Sequence, residues 1–96
     1  MRRLHPRTVD LLGAMGRDIQ TWRKLQRLTA TTVADRAGIS RTTLRSIETN
    51  PGGATFENVI AVLAVLGLDE EVATSVDPTR SIRGQALLTA AARREV

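Results

Sequence analysis

Arg41, Thr42, Thr43, Arg45 and Ser46 place two guanidinium forks and three hydroxyls within six residues. Guanidinium forks suit bidentate hydrogen bonds to phosphate oxygens or to a guanine edge. Threonine offers a hydroxyl to either base and a methyl to thymine. Thr31 and Thr32 stand just upstream, where hydroxyls and free backbone N–H groups at a helix start make a phosphate site. Asn50, Gly52 and Gly53 follow in a loop that either touches phosphate or only shapes the turn. The other chemistries lack their parts. The chain has no cysteine and one histidine, His5, so neither a thiolate nor a multi-histidine metal site can form within it. No nucleophile–base pair, Gly-rich phosphate loop or metal set is present, so an enzyme is not expected and no cofactor is implied.

Two helices must hold these groups in place. Val33, Ala34 and Ala37 turn one way on a short helix with Thr29 as N-cap, and Gly38 ends it. Ser40 caps the next, and Ile39 with Leu44 has hydrophobic-staple spacing across the turn. Leu44 and Ile47 then face back, leaving Arg41, Thr42, Thr43, Arg45 and Ser46 outward. Two short helices joined by a glycine turn, the second displaying basic and hydroxyl groups, make a helix-turn-helix. The expected surface complements a major groove, with phosphates on its rims and base edges on its floor. Arg41, Thr42 and Arg45 are expected to contact DNA; Thr43 and Ser46 stay open between that and a solvated helix face.

The rest of the chain reads as helix. Leu11, Leu12, Met15, Ile19, Trp22 and Leu25 recur at three- and four-residue spacing over residues 8–27. Gly13 and Gly16 weaken that helix and predict a kink or split. Ile19, Trp22 and Leu25 are expected in or near the core. Asn50-Pro51-Gly52-Gly53 marks a loop, after which Thr55 caps an apolar helix carrying Val59, Ile60, Val62, Leu63 and Leu66, with Gly67 as its stop. Asp69 is expected to cap a short helix, with Glu70 and Glu71 at its positive end. Residues 79–96 are rich in small residues and arginine, with helical propensity after Gly84 and a narrow apolar face of Ile82, Ala86, Leu87 and Ala90. The fold class is all-α: a compact bundle of about five helices containing the helix-turn-helix, plus a short C-terminal helical tail. The expected organisation is an N-terminal arm and the start of the first helix over 1–14, the DNA-binding domain over 15–77 and the tail over 78–96.

Composition sets the outer limits. A chain of 96 residues with 42% apolar content suits one domain with a modest core. Aromatics are only 2%, Trp22 and Phe56, which disfavours single-strand binding by base stacking. Net charge is +4, and thirteen of the 14 basic residues are arginine. Arg2, Arg3 and Arg7 either run as an arm along the DNA backbone or form a solvated terminus. No apolar run approaches a membrane span and no secretory signal is visible, so a cytoplasmic protein is expected.

These residues resemble the Cro/CI-type (XRE) helix-turn-helix family. The resemblance covers residues 16–68, through Ile19, Arg23, Leu28-Thr29, the run Val33-Ala34-Asp35-Arg36-Ala37-Gly38-Ile39-Ser40, then Leu44, Ile47 and Glu48. It implies an ion pair between Arg23 and Glu48 tying the first helix to the second helix of the motif. It also implies a homodimer on a palindromic operator in double-stranded DNA, with the dimer surface over residues 68–76 and part of the tail. Two positions depart from the family. Ala30 stands where a phosphate-contacting glutamine is usual, and Arg27 stands where glycine is common. Residues 57–88 further resemble HipB-like antitoxins, which implies a repressor of its own operon that neutralises a HipA-like kinase toxin. A stand-alone or prophage-type regulator is the alternative. Ala30 points instead to a protein-interaction module that has lost DNA binding.

Overall fold

Hydroxyl caps mark where the helices begin. The computed structural model describes residues 3–94. Its first helix, α1, spans Pro6–Leu25; α2 spans Ala30–Ala37, α3 Arg41–Thr49 and α4 Phe56–Leu66. Thr29, Ser40 and Thr55 each precede one of the last three and accept from the backbone N–H three residues on, at 3.0, 3.0 and 3.1 Å. His5 caps α1 over a shorter span: its Nδ1 accepts from Arg7 N, two residues on, at 3.0 Å, and Pro6 occupies the first helical position. Arg7 therefore lies in the first turn of α1, so an arm could begin only upstream of Pro6; Arg2 falls outside the described residues.

The helices end alike. Gly38 and Gly67 take left-handed backbone, with φ of 72° and 81°, and each starts a pair of hydrogen bonds that consumes the last carbonyls of its helix. Arg27 does the same after α1. Its N–H donates to Lys24 O and the next N–H, of Leu28, donates to Arg23 O, both at 3.0 Å. Its φ is 59°, the only positive value at a non-glycine among the described residues.

The core is built from one face of each of four helices: Ile19 from α1, Val33 and Ala34 from α2, Leu44 and Ile47 from α3, and Val59, Val62, Leu63 and Leu66 from α4. Three expectations about α1 are corrected. The helix is unbroken through Gly13 and Gly16. Gly16 is buried where α1 crosses the end of α3, so its small size serves a close approach and not a kink. Trp22 and Leu25 are outside the core, 44% and 72% exposed. Both lie on a face of α1 that α2, α3 and α4 leave uncovered.

Helix α5, Asp69–Ser75, packs on α4 through the partly buried Leu68 and Val72. The expectation that Asp69 caps this helix is corrected. The cap position belongs to Leu68, which makes no side-chain cap bond, and Asp69, Glu70 and Glu71 all fall in the first turn, where carboxylates meet the positive end of the helix dipole. A 3-10 turn, Pro78–Arg80, leads to α6, Ile82–Arg94. That helix includes Gly84 in its first turn and continues through the stretch expected to be helical. Ile82 is 89% exposed, so the expected apolar face through Ile82 is not the one that packs. Gly84 stands against the Pro78 carbonyl, Leu87 lines a hollow with Pro78 and Ser81, and Leu88 is left exposed.

Candidate nucleic-acid interface

Helix α3 is amphipathic in the plainest way. Leu44 and Ile47 are fully buried, while Arg41, Thr42, Arg45 and Ser46 are exposed on the other side. The partly buried Ile39 and the buried Leu44 close the turn from α2 as a staple, which fixes the angle of α3 and so the direction of its outer face. Arg41 and Thr42 occupy its first turn. Together with Arg45 they line one shallow surface hollow of about 290 Å³. Two guanidinium groups and a hydroxyl thus share one patch, at the end of the helix that enters the groove in helix-turn-helix proteins.

The hydroxyls divide by what they already hold. Thr43 is half-buried, and its hydroxyl accepts from Ser40 Oγ at 2.9 Å. Thr32 likewise accepts from Thr29 Oγ1 at 2.9 Å. Both are tied into helix starts and are held rigidly. Thr31 is exposed beside Thr32 at the start of α2, where the first backbone N–H groups have no helical partner. Asn50 Oδ1 accepts from Gly52 N at 2.8 Å, which folds the 3-10 turn Pro51–Gly53 behind α3. That bond accounts for asparagine as a turn former, and it leaves the side-chain NH2 unneeded by the turn.

Arg23 and Glu48 form the joint behind this face. Arg23 Nε and Nη2 donate to the two carboxylate oxygens of Glu48 at 2.7 and 3.0 Å, and Nη1 donates to Leu28 O at 3.1 Å. Their side chains are 12% and 7% exposed. The hydrogen bonds to Glu48 raise the Arg23 pKa above its ordinary value, against the opposing effect of burial and with a further charge attraction from Glu48. One bidentate pair therefore ties α1 to α3 and, through Leu28, to the entry of α2.

Sequence reasoning marked Ala30 but missed the other groups that flank this joint, Gln20 and Thr49. Gln20, Ala30 and Thr49 line a polar hollow of about 230 Å³ with Arg41, Arg45 and the Arg23–Glu48 pair. Gln20 stands one helical turn before Arg23, and that i, i+3 spacing is the signal that would have found it. Gln26 Nε2 donates to Leu66 O at 2.8 Å, joining the exit of α1 to the end of α4. No local pattern announces that contact.

A protein-family model described as helix-turn-helix matches residues 19–72, more than half of the chain. No curated protein and no solved structure matches it. Among the described residues, no helix is long and apolar enough to cross a membrane.

Proposed function

We propose, from the premise that this chain belongs to the XRE-type helix-turn-helix family of DNA-binding transcriptional regulators, that it is a sequence-specific repressor acting as a homodimer on a palindromic operator. The observation that carries this reading is the outer face of α3, where exposed Arg41, Thr42 and Arg45 converge on one hollow while Leu44 and Ile47 anchor the opposite side. In this reading Arg41 and Thr42 meet base edges, and Arg45 and Ser46 meet bases or phosphates one turn on. Thr31, Thr32 and Asn50 touch the backbone, with Thr43 holding the start of the helix. One motif covers half a site, so a second copy reads the other half.

The test is binding to double-stranded DNA from the chain's own promoter, followed by fluorescence anisotropy, with a shuffled duplex as control. The doubly reversed Arg41→Glu/Arg45→Glu chain should lose the preference for the promoter while keeping its thermal melt. Equal binding by both proteins would place DNA recognition elsewhere.

Within this class we favour an antitoxin that neutralises a HipA-like kinase toxin. Support comes from the likeness of residues 57–88 to HipB-like antitoxins and from an apolar hollow of about 320 Å³ between α1 and α5. Met15, Ile19, Trp22, Leu68 and Val72 are among the residues that line it. A pull-down from the native host tests the assignment. A stoichiometric kinase-like protein recovered with promoter DNA supports it; promoter DNA alone leaves a stand-alone or prophage-type regulator. The single tryptophan lies in this hollow, so docking of a toxin there should shift Trp22 emission.

A further inference from the structure

Helix α6 lies outside the bundle that carries the site. It has no buried residue and packs extensively only on the 3-10 turn Pro78–Arg80. The chain is correspondingly long, 55 Å by 31 Å by 21 Å, with a radius of gyration of 16.8 Å, against about 12–13 Å for a compact chain of this length. A lone helix of this size is marginal in water, so its stability calls for a partner surface.

The corner before α6 keeps it from turning back. Asp77 Oδ1 accepts from Thr79 N at 2.9 Å and from Thr79 Oγ1 at 2.7 Å. Gln85 Nε2 donates to Thr79 O at 2.8 Å, and Gly84 N donates to Ser81 Oγ at 2.9 Å. Gly84 sets its backbone against the Pro78 carbonyl, where any Cβ would overlap it. The direction of α6 is thereby fixed by six residues, Asp77, Pro78, Thr79, Ser81, Gly84 and Gln85.

The bundle has an open groove of matching character. Phe56, Ile60, Val72, Ala73 and Val76 line an apolar hollow of about 410 Å³ between α4 and α5, edged by Asp69 and Glu70. Val76 also borders a second hollow that runs to Gly84 and Leu87, so the apolar track continues onto α6. Charges complement across the two elements: α5 opens with three acidic residues and has no basic one, while α6 carries Arg83, Arg93 and Arg94 and no acidic one. Two chains related by a two-fold axis can satisfy both surfaces at once.

We propose that α6 is an exchange arm, which in the dimer lays its Leu87–Leu88 stripe in the α4–α5 groove of a second copy, its arginines beside that copy's acidic edge. This rests on the homodimer reading above. Because the corner is rigid, the exchange also fixes the separation of the two outward faces of α3.

The absence of cysteine from the chain makes the test clean. Full-length Phe56→Cys and Leu88→Cys chains are each treated with a short bis-maleimide, alone and mixed. A covalent dimer abundant only in the mixture is the expected result. Dimers formed as readily by Leu88→Cys alone would mean that α6 pairs with α6 and would overturn the proposal. An intrachain product at monomer mobility in the doubly substituted chain would overturn it too, as would a monomer at micromolar concentration in sedimentation equilibrium. Leu87→Asp/Leu88→Asp should raise the dimer dissociation constant at least about a hundredfold with the thermal melt of the bundle retained; an unchanged constant contradicts the exchange. Anisotropy on a half-site duplex reports the DNA face separately, so failure of the arm and failure of DNA binding give different signals.

Discussion

Gly16 in α1 lies directly against the backbone of Glu48 in α3: a Cβ at Gly16 would stand 2.8 Å from the Glu48 carbonyl oxygen, and 3.0 Å from those of Ile47 and Thr49. Three backbone oxygens cannot give way as a side chain can. The crossing of α1 over the end of α3 depends on this absence of a side chain, and the crossing aims the outer face of α3.

Gly16→Ala should therefore destabilise, although alanine is the better helix former by about 1 kcal/mol. Overpacking costs typically ~1–3 kcal/mol, and here the obstruction is rigid backbone, so the clash wins. Gly13→Ala provides the opposite sign on the same helix. Its Cβ would meet only the flexible tip of Arg17, at 3.5 Å, so the propensity gain of about 0.5–1 kcal/mol is kept. Paired thermal melts should move apart by roughly 5–15 °C, Gly16→Ala falling and Gly13→Ala rising. Equal shifts would mean the close approach does not govern packing.

Removing one side of the Arg23–Glu48 pair leaves a partly buried charge without its partner. Arg23→Ala should cost about 3 kcal/mol, with DNA affinity falling as α3 loosens. Arg23→Lys should recover only part of this, since an ammonium cannot donate in parallel to both carboxylate oxygens. A double replacement by leucine at both positions should cost less than Arg23→Ala, because no charge is stranded. The alkaline limb follows from the raised Arg23 pKa. A raised folded value gives stability that is present below the ordinary arginine range and lost only as pH climbs beyond it. The difference in melting temperature between wild type and Arg23→Ala should thus stay flat from pH 7 to pH 10.

Arg27 occupies the helix-ending position that Gly38 and Gly67 fill elsewhere, with the same hydrogen-bond pair and a φ of 59°. Left-handed backbone costs an ordinary residue roughly 1–2 kcal/mol, and glycine gives some of that back through its freer unfolded chain. Arg27→Gly should stabilise by about 0.5–1 kcal/mol, read as a rise in the urea midpoint at unchanged slope. A fall would show that the exposed guanidinium offsets the backbone cost.

The caps at Thr29, Ser40 and Thr55, the stops at Gly38 and Gly67, and the inward positions Val33, Leu44, Ile47, Val59 and Leu63 were legible because each rests on local chemistry. A hydroxyl three residues before a free N–H, or a glycine after the last apolar position, needs no knowledge of the rest of the fold. Gly16 was misjudged because its reason lies across the bundle, in a carbonyl 32 residues on. Trp22 and Leu25 were misplaced because periodicity gives the apolar side of a helix but not how much of it neighbours cover. At the candidate interface, Arg41, Thr42 and Arg45 follow from the period of α3 alone, whereas Gln20 joins them only through the packing of α1 on α3.

Arg41 and Arg45 should separate by salt and by sequence. A bidentate base contact is worth ~1–3 kcal/mol of discrimination. Arg41→Ala should weaken operator binding about tenfold to a hundredfold and random DNA far less. If Arg45 meets phosphate, Arg45→Ala should weaken both duplexes alike and flatten the slope of log affinity against log salt by about 0.9. Titrations of each variant on both duplexes at several salt concentrations measure both quantities. Uniform loss for Arg41→Ala would move that residue from base contact to backbone contact.

Ala30 gives the sharpest test of how the backbone is held. It opens α2 and borders the polar hollow of about 230 Å³ shared with Gln20, Arg41 and Arg45. A glutamine there would project an amide from the first turn of α2, beside Thr31 and the free N–H groups. One added hydrogen bond is worth about 0.5–1.5 kcal/mol, so Ala30→Gln should tighten DNA binding roughly twofold to tenfold. Glutamine carries no charge, so the salt slope should stay as it is while the whole line moves up. A steeper slope would mean that the substitution has drawn the arginines onto new phosphates. Unchanged affinity would mean that Gln20 and the arginines already hold the strand, and that alanine at this position leaves no contact unmade.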